Sequence, residues 1–151
     1  MQVQASPPKY PIAPHQLPIW VPGKVLGSSD KQSWRGVSYR LYDYNGQDVE
    51  IPPMDCHMLV QYVEGETPMD RQIEGGGWTR TRCNPGNFSL LSRVAESHWH
   101  WTSRIHVNHV YLTKDILNRV AGDIRGEEVS EVHLHDIVEG KDETITRIVW
   151  A

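Results

Sequence analysis

The sequence predicts a mostly β chain, a sandwich or small barrel, followed by C-terminal α-helices. Three observations carry that expectation. Short runs of alternating apolar and polar residues recur with turn signals every 8–12 residues, the spacing of a sandwich or small barrel. The 12 Gly, 10 Pro, 6 Trp and 6 Tyr suit half-buried pleated surfaces joined by turns. Helical periodicity is confined to the last forty residues or so.

Taken in order, the first segment is the least regular. Pro7, Pro8, Pro11, Pro14, Pro18 and Pro22 fall within it, and each fixes φ and removes a donor. Neither a helix nor a central strand is expected there, and residues 1–32 read as a proline-rich arm or leader. Ile12, Leu17, Ile19, Trp20 and Val21 argue that part of it docks on an apolar surface. Residues 33–138 hold the barrel. Residues 34–44 put Val37, Tyr39 and Leu41 on one face, and Asn45-Gly46 is a turn signal. Strands are expected at 57–64, at 69–73 and 78–83 as a hairpin, and at 87–91, 97–101 and 105–112.

Thr113 is a candidate N-cap for a helix over 113–124, with Ile116, Leu117, Val120 and Ile124 on one stripe. A short strand at 131–135 follows. Asp142 then caps a helix that opens the last segment, 139–151. That helix reaches the end of the sequence without a C-cap glycine or a basic last turn. Either it docks as a terminal helix or it leads into a further domain.

Composition narrows function. Fifteen Lys and Arg against nineteen Asp and Glu give a formal charge of -4, so binding of nucleic acid through phosphate contacts is not expected of this chain. No apolar run approaches the length of a membrane span, and no signal peptide is legible. Two cysteines, Cys56 and Cys83, make no disulfide framework, and a cytoplasmic setting is the expectation.

The glycine spacing resembles that of the cupin superfamily. Its first motif runs Gly, five residues, His-x-His, three or four residues, Glu, six residues, Gly. Gly46 and Gly65 keep this spacing, while the His positions fall on Pro52 and Met54 and the Glu position on Met58. From Gly86, the second motif places its Pro, Gly, His and Asn positions on Ser92, Val94, Ser97 and Trp101. The barrel spacing is kept and the expected metal ligands are replaced. Iron, manganese or zinc needs imidazole or carboxylate donors, so no metal and no other cofactor is expected.

That register points Ser97, Trp99 and Trp101 inward and His98 and His100 outward. His57 is expected to face away from the barrel, and His106 to be exposed. His133 and His135 pair on a late strand. His109 shares a face with Ile105, Val107 and Tyr111 and reads as a core or pocket histidine held by a hydrogen bond.

Residues 84–112, NPGNFSLLSRVAESHWHWTSRIHVNHVYL, with HMLVQYVEG at 57–65 and LTKDILNRVAGDI downstream, resemble the sensor domain of AraC-family transcriptional regulators. The resemblance implies a cupin-like antiparallel β-barrel of the jelly-roll type, followed by C-terminal α-helices, that senses a small-molecule effector and homodimerises. It implies too a separate helix-turn-helix domain, absent from this chain, through which DNA is bound. On that reading the chain is not an enzyme. Met54, Met58, Val60, Tyr62, Ser97, Trp99, Trp101 and His109 would line the ligand site, or else simply fill a packed barrel. The alternative is a cupin-fold enzyme, an isomerase or dioxygenase with an atypical metal site.

Overall fold

A computed structural model describes residues 11–73, 76–92 and 96–150 of the 151. Ten strands follow one another: β1 (Lys24–Ser28), β2 (Val37–Tyr44), β3 (Gln47–Ile51), β4 (Cys56–Glu64), β5 (Thr67–Ile73), β6 (Trp78–Cys83), β7 (Asn87–Leu91), β8 (Ser97–Trp101), β9 (Ile105–Thr113) and β10 (Ile137–Lys141). A 3-10 helix, Pro14–Ile19, precedes them, and α1 (Lys114–Arg125) and α2 (Glu143–Trp150) flank β10. All strand pairs are antiparallel. One sheet is ordered β1-β2-β9-β4-β7-β10 and the other β3-β8-β5-β6. The two face each other around one apolar core, a cupin-like jelly roll.

The strands from 57 to 112 stand close to where their alternation puts them, because a one-residue slip would expose every buried side chain. Turn chemistry fixes the ends. Gly65 and Gly86 adopt φ of 90° and 92°, open to glycine at little cost. Asn45-Gly46 joins strands of different sheets, β2 and β3, and a Cβ on Gly46 would lie 2.6 Å from the Thr102 carbonyl oxygen. The glycine there lets the chain cross from one sheet to the other at close quarters.

Several expectations need correction. The arm is not separate from the barrel over its whole length. Residues 24–28 form β1, pairing with β2, and Ile12, Leu17 and Val21 are buried. Ile12 accepts from Asp55 N and donates to Pro53 O, which seats the segment beside the barrel wall. Ile19 does not join them; it is 75% exposed. Pro7 and Pro8 lie outside the described residues.

On β2 the inward face is Tyr42 and Tyr44, while Val37, Tyr39 and Leu41 are half-buried on the other side. β3 carries the weakest signal, since only Val49 and Ile51 are apolar in it. Residues 131–135 alternate as a strand would but pair with no strand. The ladder beside β7 is taken by 137–141 instead. His133 and His135 therefore sit on an irregular segment, which is tied to α1 by a bond from Asn118 to the Ser130 carbonyl. His57 is not exposed: that segment and α1 cover it, so it is buried.

The helix over 113–124 forms as its capping residues require. Thr113 accepts from Ile116 N, and Gly126 closes the helix at φ 72°. Asp142 caps α2 through Thr144 N and Ile145 N.

The two φ-positive turns make a controlled comparison. A Cβ on Gly65 would meet the Arg104 carbonyl oxygen at 2.5 Å, whereas nothing lies within 4 Å of one on Gly86. Gly86→Ala should cost about 1 kcal/mol, from backbone strain alone. Gly65→Ala should cost at least about 1 kcal/mol more. Urea unfolding of the two variants checks both values.

Candidate functional site

The site is built by the pleat. Successive inward positions on β4 (Met58, Val60, Tyr62), β8 (Ser97, Trp99, Trp101) and β9 (Ile105, Val107, His109, Tyr111) project into the space between the sheets. All eight residues expected to line a site are buried: Met54, Met58, Val60, Tyr62, Ser97, Trp99, Trp101 and His109. Six of them, Met58, Val60, Tyr62, Trp99, Trp101 and His109, surround one internal cavity together with Tyr44, Met69, Leu17 and Val21. Met54 and Ser97 are not on its wall. Met54 sits beside Ile12 of the N-terminal segment, and Ser97 accepts the Trp99 indole N–H at 2.8 Å.

The cavity admits the centres of water-sized molecules over only about 30 Å³. That is room for a water or two and not for an organic ligand. Trp99 is fixed on both sides, by Ser97 and by the Arg71 guanidinium 4.6 Å from its ring centroid. In this state the interior is packed.

The polar tips among these aromatic groups are unevenly satisfied. Tyr62 shares a hydrogen bond of 2.9 Å with Ser89, and His109 Nδ1 one of 2.9 Å with the Tyr111 hydroxyl. The Tyr44 hydroxyl and the Trp101 indole nitrogen are buried with no hydrogen-bond partner among the described residues. Their rings lie 5.8 Å apart, and both border the cavity. Burial pushes the His109 imidazole down to about 3, with the nearby Arg40 charge acting in the same sense. It is therefore a neutral donor or acceptor.

The residues at the cupin ligand positions do not fit a metal. Pro52, Met54, Met58 and Ser97 supply no imidazole or carboxylate. Among the described residues no group of three or more His, Cys, Asp or Glu is placed to hold one.

His98 and His100 take the outer face of their sheet. There His98 contacts Asp48, and His100 and Arg80 flank Asp70. Arg80 and then His100 hold the Asp70 carboxyl down at about 2. His106 is half-buried between Asp43 and Glu64, not freely exposed. No disulfide joins Cys56 and Cys83. Burial raises the Cys83 thiol, which makes it a poor nucleophile.

Sequence reasoning missed Tyr44, Leu17, Val21 and Arg71. Tyr44 was legible from its period-two relation to Tyr42. A buried arginine on a strand of polar neighbours gives no such signal.

No protein-family model matches this chain, and no curated protein matches it. Among solved structures it is similar to the EutQ protein of Clostridium difficile, at 10% identity and a TM-score of 0.46 over 62% of this chain and 68% of that one. It is similar to the Cnp3 cupin domain of Schizosaccharomyces pombe, at 10% identity and 0.45 over 72% of each. It is similar to the 7S globulin of Momordica charantia, at 14% identity and 0.43 over 60% of this chain, and spans 28% of the globulin.

The neutral buried imidazole gives a pH signature. An unfolded His109 takes a proton near pH 6.5 and the folded one only near 3. Stability contributed by the neutral form is complete above pH 6.5 and is lost as pH falls toward 3. Between pH 6.5 and 5 the loss should reach about 2 kcal/mol, at 1.36 kcal/mol per unit. Urea midpoints for wild type and His109→Gln check this; the variant should be nearly flat over that window.

Proposed function

We propose that the chain is the effector-sensing and dimerisation domain of an AraC-type transcriptional regulator. It binds a small molecule in the barrel and catalyses no reaction. One observation carries the reading: an aromatic interior with two unsatisfied donors, Tyr44 hydroxyl and Trp101 Nε1, whose wall includes Leu17 and Val21 of the N-terminal segment. A core selected for packing alone gains nothing from polar tips that it cannot pair, and each costs about 1–3 kcal/mol. A ligand with a hydrogen-bond acceptor repairs that defect. On this reading the ligand gains its space by displacing Leu17 and Val21 from the wall. Removing two aliphatic side chains from a barrel is a smaller rearrangement than opening a sheet. The segment-by-segment resemblance to AraC-family sensors supports the same reading.

The exposed stripe of α1 supports a dimer. Ile116 and Leu117 are half-buried, but Val120 is 47% and Ile124 80% exposed. Ile148 on α2 is 70% exposed. Apolar stripes of this kind meet partners, and a second copy is the simplest one. DNA would be bound by a helix-turn-helix domain elsewhere in such a regulator, not by this acidic chain.

The test is a thermal-shift screen of neutral aromatic and hydroxylated compounds. At least one should raise the melting temperature of wild type and not of Tyr44→Phe/Trp101→Phe. Tyr44→Phe alone, which removes only the unpaired hydroxyl, should be as stable as wild type or more so. Elemental analysis completes the test, since one tightly bound iron, manganese or zinc per chain would overturn the reading in favour of an enzyme. Light scattering should give the dimer mass at high micromolar concentration, and the monomer mass for Ile124→Asp. A wild-type monomer would contradict the dimer.

A further inference from the structure

Arg71 is the one cation sealed between the sheets among the described residues, at 1% exposure. It stands on β5 with its guanidinium over the Trp99 ring. Nη1 donates at 3.1 Å to the carbonyls of Leu90 and Ile137, on β7 and β10. The other edge is poorly used. Nε has no hydrogen-bond partner among the described residues, and Nη2 faces Asp136 Oδ1 at 3.2 Å without hydrogen-bond alignment.

Asp136 is held off by a second claim on the same atom: Oδ1 accepts the Ser92 backbone N–H at 2.6 Å. A carboxylate pinned by that bond cannot turn to present both oxygens to the Nε–Nη2 edge. That edge is the one that takes carboxylates side-on through two parallel bonds, as Arg80 takes Asp70 at 2.6 and 2.9 Å on the surface of this chain. The Asp136 side chain is 19% exposed, so it has a way out to water.

We propose that Arg71 is a seat for a small carboxylate ligand, and that Asp136 is a tethered, ill-fitting stand-in for it. A free carboxylate takes the volume that Asp136 vacates, pairs with both Nε and Nη2, and lays any aromatic or apolar body along Trp99. Asp136 swings to solvent. Since Asp136 and Ile137 lead into β10 and then α2, occupancy bears directly on the C-terminal part of the chain. The role of such a ligand as an effector rests on the sensing reading; its binding does not.

The test is a titration of the 15N-labelled chain with sodium acetate and sodium benzoate, with sodium chloride as the ionic-strength control. The Nε–H resonance of Arg71 is followed. In wild type it should move saturably with carboxylate and not with chloride. In Asp136→Ala, where the internal competitor is gone, the midpoint should fall at least about ten-fold. Acetate should also restore the melting temperature that this variant loses by leaving a buried cation unpaired. Asp136→Asn serves if the alanine variant does not fold. A resonance that responds to neither carboxylate in the variant, or acetate no better than chloride at restoring stability, would overturn the seat. A sensor for an uncharged effector would still pass the neutral-compound screen while Arg71 stayed silent, so the two failures are separable.

Discussion

The two-residue period of β4, β8 and β9 sets the terms for the rest of the molecule. Once Met58, Trp99 and His109 point inward, so do their neighbours two positions away. The interior is then assembled from large flat groups, several of them polar at one end. Indole and phenol bodies supply burial, about 1.5–3 kcal/mol for a large side chain. Their N–H and O–H tips must be paired within the barrel or left to cost free energy there. Tyr62, Tyr111, Trp99 and His109 are paired. Tyr44 and Trp101 are not, and both border the cavity that Leu17 and Val21 also line. The packing defect and the N-terminal segment therefore meet at one cavity.

Arg71 imposes a second condition at the other end of the same interior. A guanidinium sealed from water is tolerable only with its charge answered and its donors occupied. Burial lowers its affinity for the proton, and Asp136 works against that shift. The answering groups come from β7 and β10 and from the residue that precedes β10, so one side chain on β5 ties the smaller sheet to the edge of the larger. β10 has only β7 as a strand neighbour. Its anchorage to the barrel therefore leans on Arg71 more than that of any central strand.

How much of this was legible in the sequence follows from the same physics. Strands buried on one face announce themselves by alternation, which is why β4 and β7 to β9 fall within a residue or so of their expected bounds. Trp99, Trp101 and His109 were readable for the same reason. β1, β3 and β10 are edge or charged strands that owe their existence to a partner's ladder, and no local pattern marks them. The segment 131–135 shows the converse: it has the alternation, but the ladder beside β7 is taken by β10 in its place. Leu17 and Val21 were legible as residues that dock on an apolar surface, but not as part of the cavity wall, because where a proline-rich segment docks is a tertiary fact. Arg71 and Asp136 escaped because charge is read from sequence as surface unless a partner is known.

The sensing reading requires the N-terminal segment to be a removable stopper on a barrel that stays folded without it. Native-state hydrogen exchange addresses it directly. The amide of Ile12 bonds to Pro53 O and that of Asp55 to Ile12 O, so both are protected only while the segment is seated. Their opening free energies can be compared with those of the β4–β9 ladder amides in the middle of the larger sheet. A removable segment predicts that Ile12 and Asp55 exchange through a local opening well below the global unfolding free energy, with the ladder unaffected. Equal protection of all these amides would make the segment an inseparable part of the core, and the barrel would have no entrance there.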